Sequence, residues 1–172
     1  MDTLDPRHRL NVAPLTAEAF APFGDVIEAA ALRRHHPVNA GLALRFDDLA
    51  TLDTGRDGGR PMVSIFRAQA LAQPLRLRLV ERHRLGSQAF VPMAGQRFVV
   101  VVAPAGPAPR REDLRAFVTA PGQGVNYAAG TWHHPLLSLD GGDYLVIDRG
   151  GPGGADDCEE SAPGVAGLWL EA

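Results

Sequence analysis

Short apolar runs, each stopped by glycine or proline, constrain this chain more than any other feature. Residues 62–69 (MVSIFRAQ), 87–93 (SQAFVPM), 97–103 (RFVVVVA), 114–120 (LRAFVTA), 124–127 (GVNY), 134–139 (HPLLSL) and 143–149 (DYLVIDR) are rich in β-branched and aromatic residues. Such side chains pack well on a pleated, half-buried surface. Nineteen glycines and fourteen prolines supply the turns between the runs. In residues 75–83 (LRLRLVERH), Leu75, Leu77 and Leu79 alternate with Arg76, Arg78 and Val80, the period of a strand with one buried face. One short helix is predicted within residues 14–26, with Thr16 as its cap and Pro22 and Gly24 closing it. Residues 53–61 and 104–113 read as surface loops. The pattern specifies a mainly all-β fold, an antiparallel β-barrel or jelly roll with a short N-terminal helix.

The length of 172 residues suits a single domain with its own core. We expect that domain to span residues 1–172, with 1–12 as an N-terminal extension and 150–172 as a C-terminal arm. The arm is rich in glycine and acid up to the closing VAGLWL. A net charge of -3 offers no basic face for nucleic acid. No apolar run approaches the roughly 20 residues of a membrane span. The N-terminus lacks the apolar core of a signal peptide, so a cytoplasmic location is expected. The single cysteine, Cys158, excludes an internal disulfide and any multi-cysteine metal site. Its acidic neighbours should keep the thiol protonated. All seventeen basic residues are arginines. Schiff-base chemistry on a lysine amine is therefore excluded, as is a phosphate-cradling loop that needs one. A Gly-x-Ser-x-Gly nucleophile elbow is also missing.

Chemistry concentrates in two stretches. In the first, Glu81 and His83 lie two apart and project from one face of a strand. Gln88 follows after four residues, and Gly95 after six more. In the second, Gly130 precedes His133 by three residues. His134, being adjacent, must face the other way, against backbone or a dimer contact. Taken alone, His133 reads more readily as a satisfied core histidine than as a catalyst. Together the two spacings resemble the paired motifs of the cupin superfamily, which commonly hold one divalent metal. That resemblance matches Glu81, His83, Gln88 and His133 to the metal ligands. Glu81 stands where the pattern has a histidine, and Gln88 where it has a glutamate.

The likeness narrows when longer blocks are compared. LTAEAFAPFGDVIE, VNAGLALRFDDLA, SIFRAQ, ERHRLGSQAFVPMAGQRFVVVVA, LRAFVTAPGQGVNYAAGTWHHPL and IDRGG, in this order, resemble the ureidoglycolate lyase family from about Leu15 to Gly151. The resemblance implies cleavage of (S)-ureidoglycolate to glyoxylate and urea in allantoin and purine breakdown. It also implies a cupin-like barrel, a homodimer, and a divalent metal, nickel among those assigned.

That reaction needs a base for the carbinol hydroxyl, a proton for the departing urea nitrogen and a clamp for the carboxylate. It has no redox step and needs no organic cofactor. His83 and His133 suit proton transfer near neutral pH, with Glu81 orienting one or acting itself. If a metal binds, the same side chains become its ligands, and both schemes stay open. Arginine's planar fork suits the carboxylate, and Arg67, Arg149 and Arg45 are the candidates. Arg67 equally fits an internal pair with Asp148 or another acid, and Arg149, followed by two glycines, equally fits a loop anchor. Asn39, Ser87, Gln88, Asn126 and Tyr127 are candidates for the urea amide, and Asn126 and Tyr127 equally fit turn and packing roles. Two other functions stand beside this one: a metal-dependent cupin enzyme on another small hydroxy acid, and a non-catalytic module that binds a small carboxylate.

Overall fold

The computed structural model describes residues 4–153 and 157–172. Residues 1–3 of the N-terminal extension and 154–156 of the C-terminal arm lie outside the described residues. Two β-sheets carry the fold. One runs Val12–Pro14, Arg115–Val118, Phe98–Ala103, Trp132–His133, Val80–His83, Cys158–Ser161, with Leu137–Ser138 also paired to Phe98–Ala103. The other runs Gly24–Ile27, Gly124–Tyr127, Gln88–Pro92, Gly142–Gly150, Arg60–Ala68. Pairing is antiparallel except between Val12–Pro14 and Arg115–Val118. The arrangement is the all-β, cupin-like one that the punctuated apolar runs predict.

Alternation builds the core. Phe98, Val100 and Val102 of the first sheet meet Phe90, Val125, Tyr127, Tyr144 and Val146 of the second in one buried cluster. The short helix Ala17–Phe20 adds Phe20 to it, and the Thr16 side chain accepts the Ala19 N–H as its cap. The run 98–103 does not alternate in polarity, because its other face is covered too. There Val99, Val101 and Ala103 pack against Leu75, Leu77, Trp132, Val165, Leu168 and Leu170. The C-terminal segment supplies three of those residues. It also pairs Cys158–Ser161 with Val80–His83, and Trp169–Leu170 with Leu75–Arg76.

The strand predicted over residues 75–83 is broken into Leu75–Arg76 and Val80–His83. Between them the Leu77 N–H donates to the Leu168 carbonyl and the Arg78 N–H to His134 Nε2. The break shifts the phase, so Val80 is fully buried although it follows Leu79. The shift turns Glu81 and His83 toward the inside of the fold. Of the predicted loop 53–61, Arg60 and Pro61 already belong to the edge strand; the rest contains a 3-10 turn at Arg56–Gly58 and is tied to the rim of the site described next.

Candidate active site

Three neighbouring strands bring the titratable groups together. Glu81 sits directly across from His133 on one side and Glu160 on the other, and His83 sits across from Cys158. Cross-strand partners share a face, so these five side chains line one surface of the sheet. His133 is 1% exposed. Its Nδ1 donates to the Thr131 carbonyl at 3.0 Å, which leaves Nε2 facing Glu81 Oε1 at 3.5 Å. Tyr127 stacks on the imidazole at 4.2 Å with 9° between planes, and the His83 ring lies 5.4 Å away. His134 faces the opposite side, as adjacency requires. Its Nδ1 donates to the Pro135 carbonyl and its Nε2 accepts the Arg78 N–H.

The electrostatics follow from burial and from these neighbours. Burial works to raise the Glu81 pKa, but the His133 imidazole 3.5 Å away and the charge of His83 outweigh it, so the carboxyl is held below its ordinary value. Burial, reinforced by His133, pushes the His83 pKa down, and Glu81, Asp157 and Asp148 only partly oppose this. At neutral pH Glu81 is a carboxylate and His83 a neutral imidazole. Burial followed by the charges of Glu81 and Glu160 pushes the Cys158 thiol up to about 11, in line with the protonated thiol expected from its neighbours.

The second sheet completes the wall. Gln88 Nε2 donates to Asp148 Oδ2 at 3.3 Å. A cavity of about 280 Å³ opens here, lined by His83, Ser87, Asp148, Arg149 and Asp157 among others. Arg149 is 7% exposed. It donates from Nε to the Arg56 carbonyl at 2.9 Å and from Nη2 to the Asp57 carbonyl at 3.1 Å. Its stem crosses Gly86, where any Cβ would stand 2.6 Å from Arg149 Cβ, so only glycine permits the approach. Ser87 and Asp53 exchange two hydrogen bonds of 2.8 Å, Asp53 N–H to Ser87 Oγ and Ser87 N–H to Asp53 O, fastening the loop to the rim.

Buried polar atoms without a partner cost about 1–3 kcal/mol each and are few in native folds. Among the described residues seven such side-chain atoms occur, and five belong to this one region: His83 Nε2, Gln88 Oε1, His133 Nε2, Asp148 Oδ1 and Arg149 Nη1. The set mixes acceptors with a guanidinium N–H, as a small polar anion with its own N–H groups would require.

Not every residue anticipated from sequence lies here. Arg67 does not pair with Asp148 inside a barrel. It stands on the edge strand Arg60–Ala68, its side chain is 83% exposed, and it makes a two-pronged pair with Asp143. Asp143 is five residues along its strand from Asp148, about 17 Å at the usual rise. Arg45 is bonded to Asp47 on the exposed hairpin formed by His35–Val38 and Ala43–Phe46, and Asn39 is exposed in that hairpin's turn. Asn126 is buried on the face opposite to Tyr127, where Nδ2 donates to Asp25 Oδ2 and the Thr51 carbonyl. Adjacent on one strand, the two face opposite ways, Asn126 against Asp25 and Tyr127 against His133. Sequence reasoning missed Asp157 and the pairing of Cys158 with His83, and named Asp148 only as a partner for Arg67, where the structure sets it against Gln88. That placement was within reach of sequence reasoning, since Tyr144, Val146 and Asp148 share one phase of the strand.

A divalent metal fits the residues present. Donor atoms of Glu81, His83 and His133 all lie within 4.8 Å of one another. With Nδ1 of His133 committed to Thr131, its Nε2 faces a carboxylate, an arrangement that a proton or a cation between them makes favourable. Two imidazoles and one carboxylate suit a borderline divalent ion.

A small cupin-like β fold, an acid–base cluster on one sheet and a buried guanidinium beside a cavity define an enzyme built for a small polar substrate. Comparison with known proteins agrees: a family model described as ureidoglycolate lyase matches residues 7–167. A protein of Burkholderia cepacia named ureidoglycolate lyase is 56% identical over 88% of this chain and 84% of its own length. Proteins of the same name from Burkholderia mallei (strain NCTC 10229) and Pseudomonas syringae pv. syringae (strain B728a) are 52% and 50% identical. They cover 94% and 88% of this chain, and 92% and 88% of their own. The chain belongs to the ureidoglycolate lyase family.

Proposed function

We propose that this chain is a lyase that cleaves (S)-ureidoglycolate to glyoxylate and urea, serving allantoin breakdown in the cytoplasm. The observation that carries this reading beyond the family is the convergence of five unpartnered buried polar atoms on one region. The substrate is a hemiaminal with a carboxylate at one end and a ureido group at the other. Arg149 Nη1 receives the carboxylate, while the other guanidinium nitrogens hold the arginine in place. His83, neutral through burial, accepts the carbinol proton. The oxygen's electron pair then forms the glyoxylate C=O, the C–N bond breaks, and its electrons leave with the urea nitrogen. His133, held by Thr131 on one side and Glu81 on the other, delivers the proton that nitrogen needs. Gln88 Oε1 accepts a ureido N–H, and Asp148 orients Gln88. A divalent ion held by Glu81, His83 and His133, nickel or a similar metal, would occupy the nitrogens used for these proton transfers and supply Lewis-acid polarisation of the substrate oxygen in their place.

The working unit is a homodimer. Support comes from the edge strand Arg60–Ala68, which exposes Met62, Val63, Ile65 and Phe66 and, among the described residues, has no strand beyond it. Bare apolar edges of this kind are normally covered. The test of the reaction is release of urea and glyoxylate from ureidoglycolate above the spontaneous rate. His133→Ala should lower turnover at least about tenfold, since such proton transfer contributes roughly 10²–10⁴ in rate. Full turnover by that variant removes His133 from the mechanism.

A further inference from the structure

Asn126 is an amide inside a strand, 1% exposed, with no part in the chemistry above. Both of its N–H donors are used: Nδ2 donates to Asp25 Oδ2 at 3.0 Å and to the Thr51 carbonyl at 2.9 Å. Its Oδ1 is buried without a partner, so the two donated bonds are all that offsets the burial. Asp25 Oδ2 also accepts the Thr51 N–H at 3.0 Å. Thr51 is therefore gripped at both backbone groups by side chains of the second sheet. It opens the run that ends at the carbonyls holding Arg149. Two residues on, Asp53 is tied to Ser87, and its Oδ2 pairs with Arg56 Nη2 at 2.5 Å. The carbonyls of Arg56 and Asp57 then accept from Arg149 Nε and Nη2. Asp57 presents its carbonyl from a left-handed backbone (φ 48°, ψ 46°), and Asp48, ahead of Thr51, is left-handed too (φ 56°). Such a conformation is strained for a residue with a Cβ and persists only where fixed contacts hold it. Asn126 and Arg149 also share the outer face of the sheet. Ala89 stands across from Asn126 on one side and from Ile147 on the other, and Arg149 is two residues beyond Ile147.

We propose that Asn126 and Asp25 are positioning residues for the carboxylate-binding arginine. By gripping Thr51 they set residues 48–57, and that loop holds the guanidinium with Nη1 free for the carboxylate. Neither residue touches the substrate. Their effect on turnover rests on the lyase reading; their effect on Arg149 rests on the hydrogen bonds alone.

The test follows the Arg149 Nε–H in heteronuclear NMR spectra of the full-length protein, the signal being the one missing from Arg149→Gln. In Asn126→Leu and in Asp25→Ala this N–H should exchange with solvent roughly tenfold faster than in the wild type, or more. Asp25→Asn keeps an oxygen for the Thr51 N–H and should match the wild type. On ureidoglycolate the first two variants should raise KM roughly tenfold with kcat little changed, because the carboxylate is held before and during bond cleavage. Wild-type exchange at Nε–H in both variants overturns the proposal, as does a loss in Asp25→Asn as large as in Asp25→Ala. So does a fall in kcat at constant KM, or an equal exchange gain at the backbone amides of Phe98–Ala103, which would mark general loosening. Asp25 is half-buried, so Asp25→Ala carries the test should Asn126→Leu not fold. If the wild type releases no urea, the lyase reading fails while the exchange result still decides the positioning.

Discussion

Replacing Arg149 with glutamine removes the guanidinium and leaves a neutral planar amide on a shorter stem. In the folded chain Nε and Nη2 are committed to the carbonyls of Arg56 and Asp57, and Nη1 has no protein partner. The variant therefore loses a charge-assisted bond to substrate and both guanidinium anchors to the loop. A hydrogen bond to a charged group contributes about 1.5–3 kcal/mol. At about 1.4 kcal/mol per tenfold, kcat/KM should fall roughly 10- to 150-fold. Most of the fall should appear in KM, because the carboxylate is bound equally before and during bond cleavage. Initial rates of urea and glyoxylate release give both constants. A double-mutant cycle isolates the contact, using a substrate whose carboxylate is replaced by a carboxamide. The wild type should lose about the same factor on the carboxamide, and Arg149→Gln should barely distinguish the two substrates. If Arg149→Gln handles both substrates equally worse than the wild type does, the guanidinium only holds loop 53–61, and the clamp assignment is refuted.

Two further outcomes follow from the pKa directions and the packing. His83 has its pKa lowered by burial, so the acid limb of kcat/KM should lie below the ordinary value of 6.5. The same shift makes the unfolded state bind more protons between the folded and unfolded pKa values, so stability should rise with pH across that window and level off above 6.5. Depressed Glu81 adds stability that is present above its unfolded pKa and is lost as pH falls through the folded one. Urea-free thermal melts across pH 4–8 read the stability, and an acid limb at or above 6.5 contradicts the neutral His83. Leu168 is 2% exposed against the outer face of Phe98–Ala103. Leu168→Ala should cost about 3 kcal/mol and lower Tm by roughly 6–12 °C, while leaving kcat near wild type below the melt. An unchanged Tm would mean that the C-terminal segment does not cover that face.

How far the sequence could be read depends on the range of the interactions involved. Period-two alternation is local, so Glu81, His83 and the opposite facing of His133 and His134 were legible without coordinates. The six apolar residues of Phe98–Ala103 also carried a message, since a strand greasy on both sides requires cover on both sides. Which segment provides that cover was not legible, because Val165, Leu168 and Leu170 are more than sixty residues away. The pairing of Cys158 with His83 was hidden for the same reason.

Arg67 and Arg149 make the limit sharpest. Each is an arginine in an apolar strand, and the two glycines after Arg149 are the only local difference between them. Their fates differ through partners from elsewhere. Arg67 falls on an edge strand opposite Asp143, so its charge is neutralised in solvent. Arg149 falls where its strand meets the carbonyls of loop 53–61, and Gly86 leaves room for its stem. Carbonyls are neutral, so they fix the guanidinium without discharging it. A buried arginine held in that way keeps its charge for an anion, and this difference, invisible along the chain, separates a binding residue from a surface ion pair.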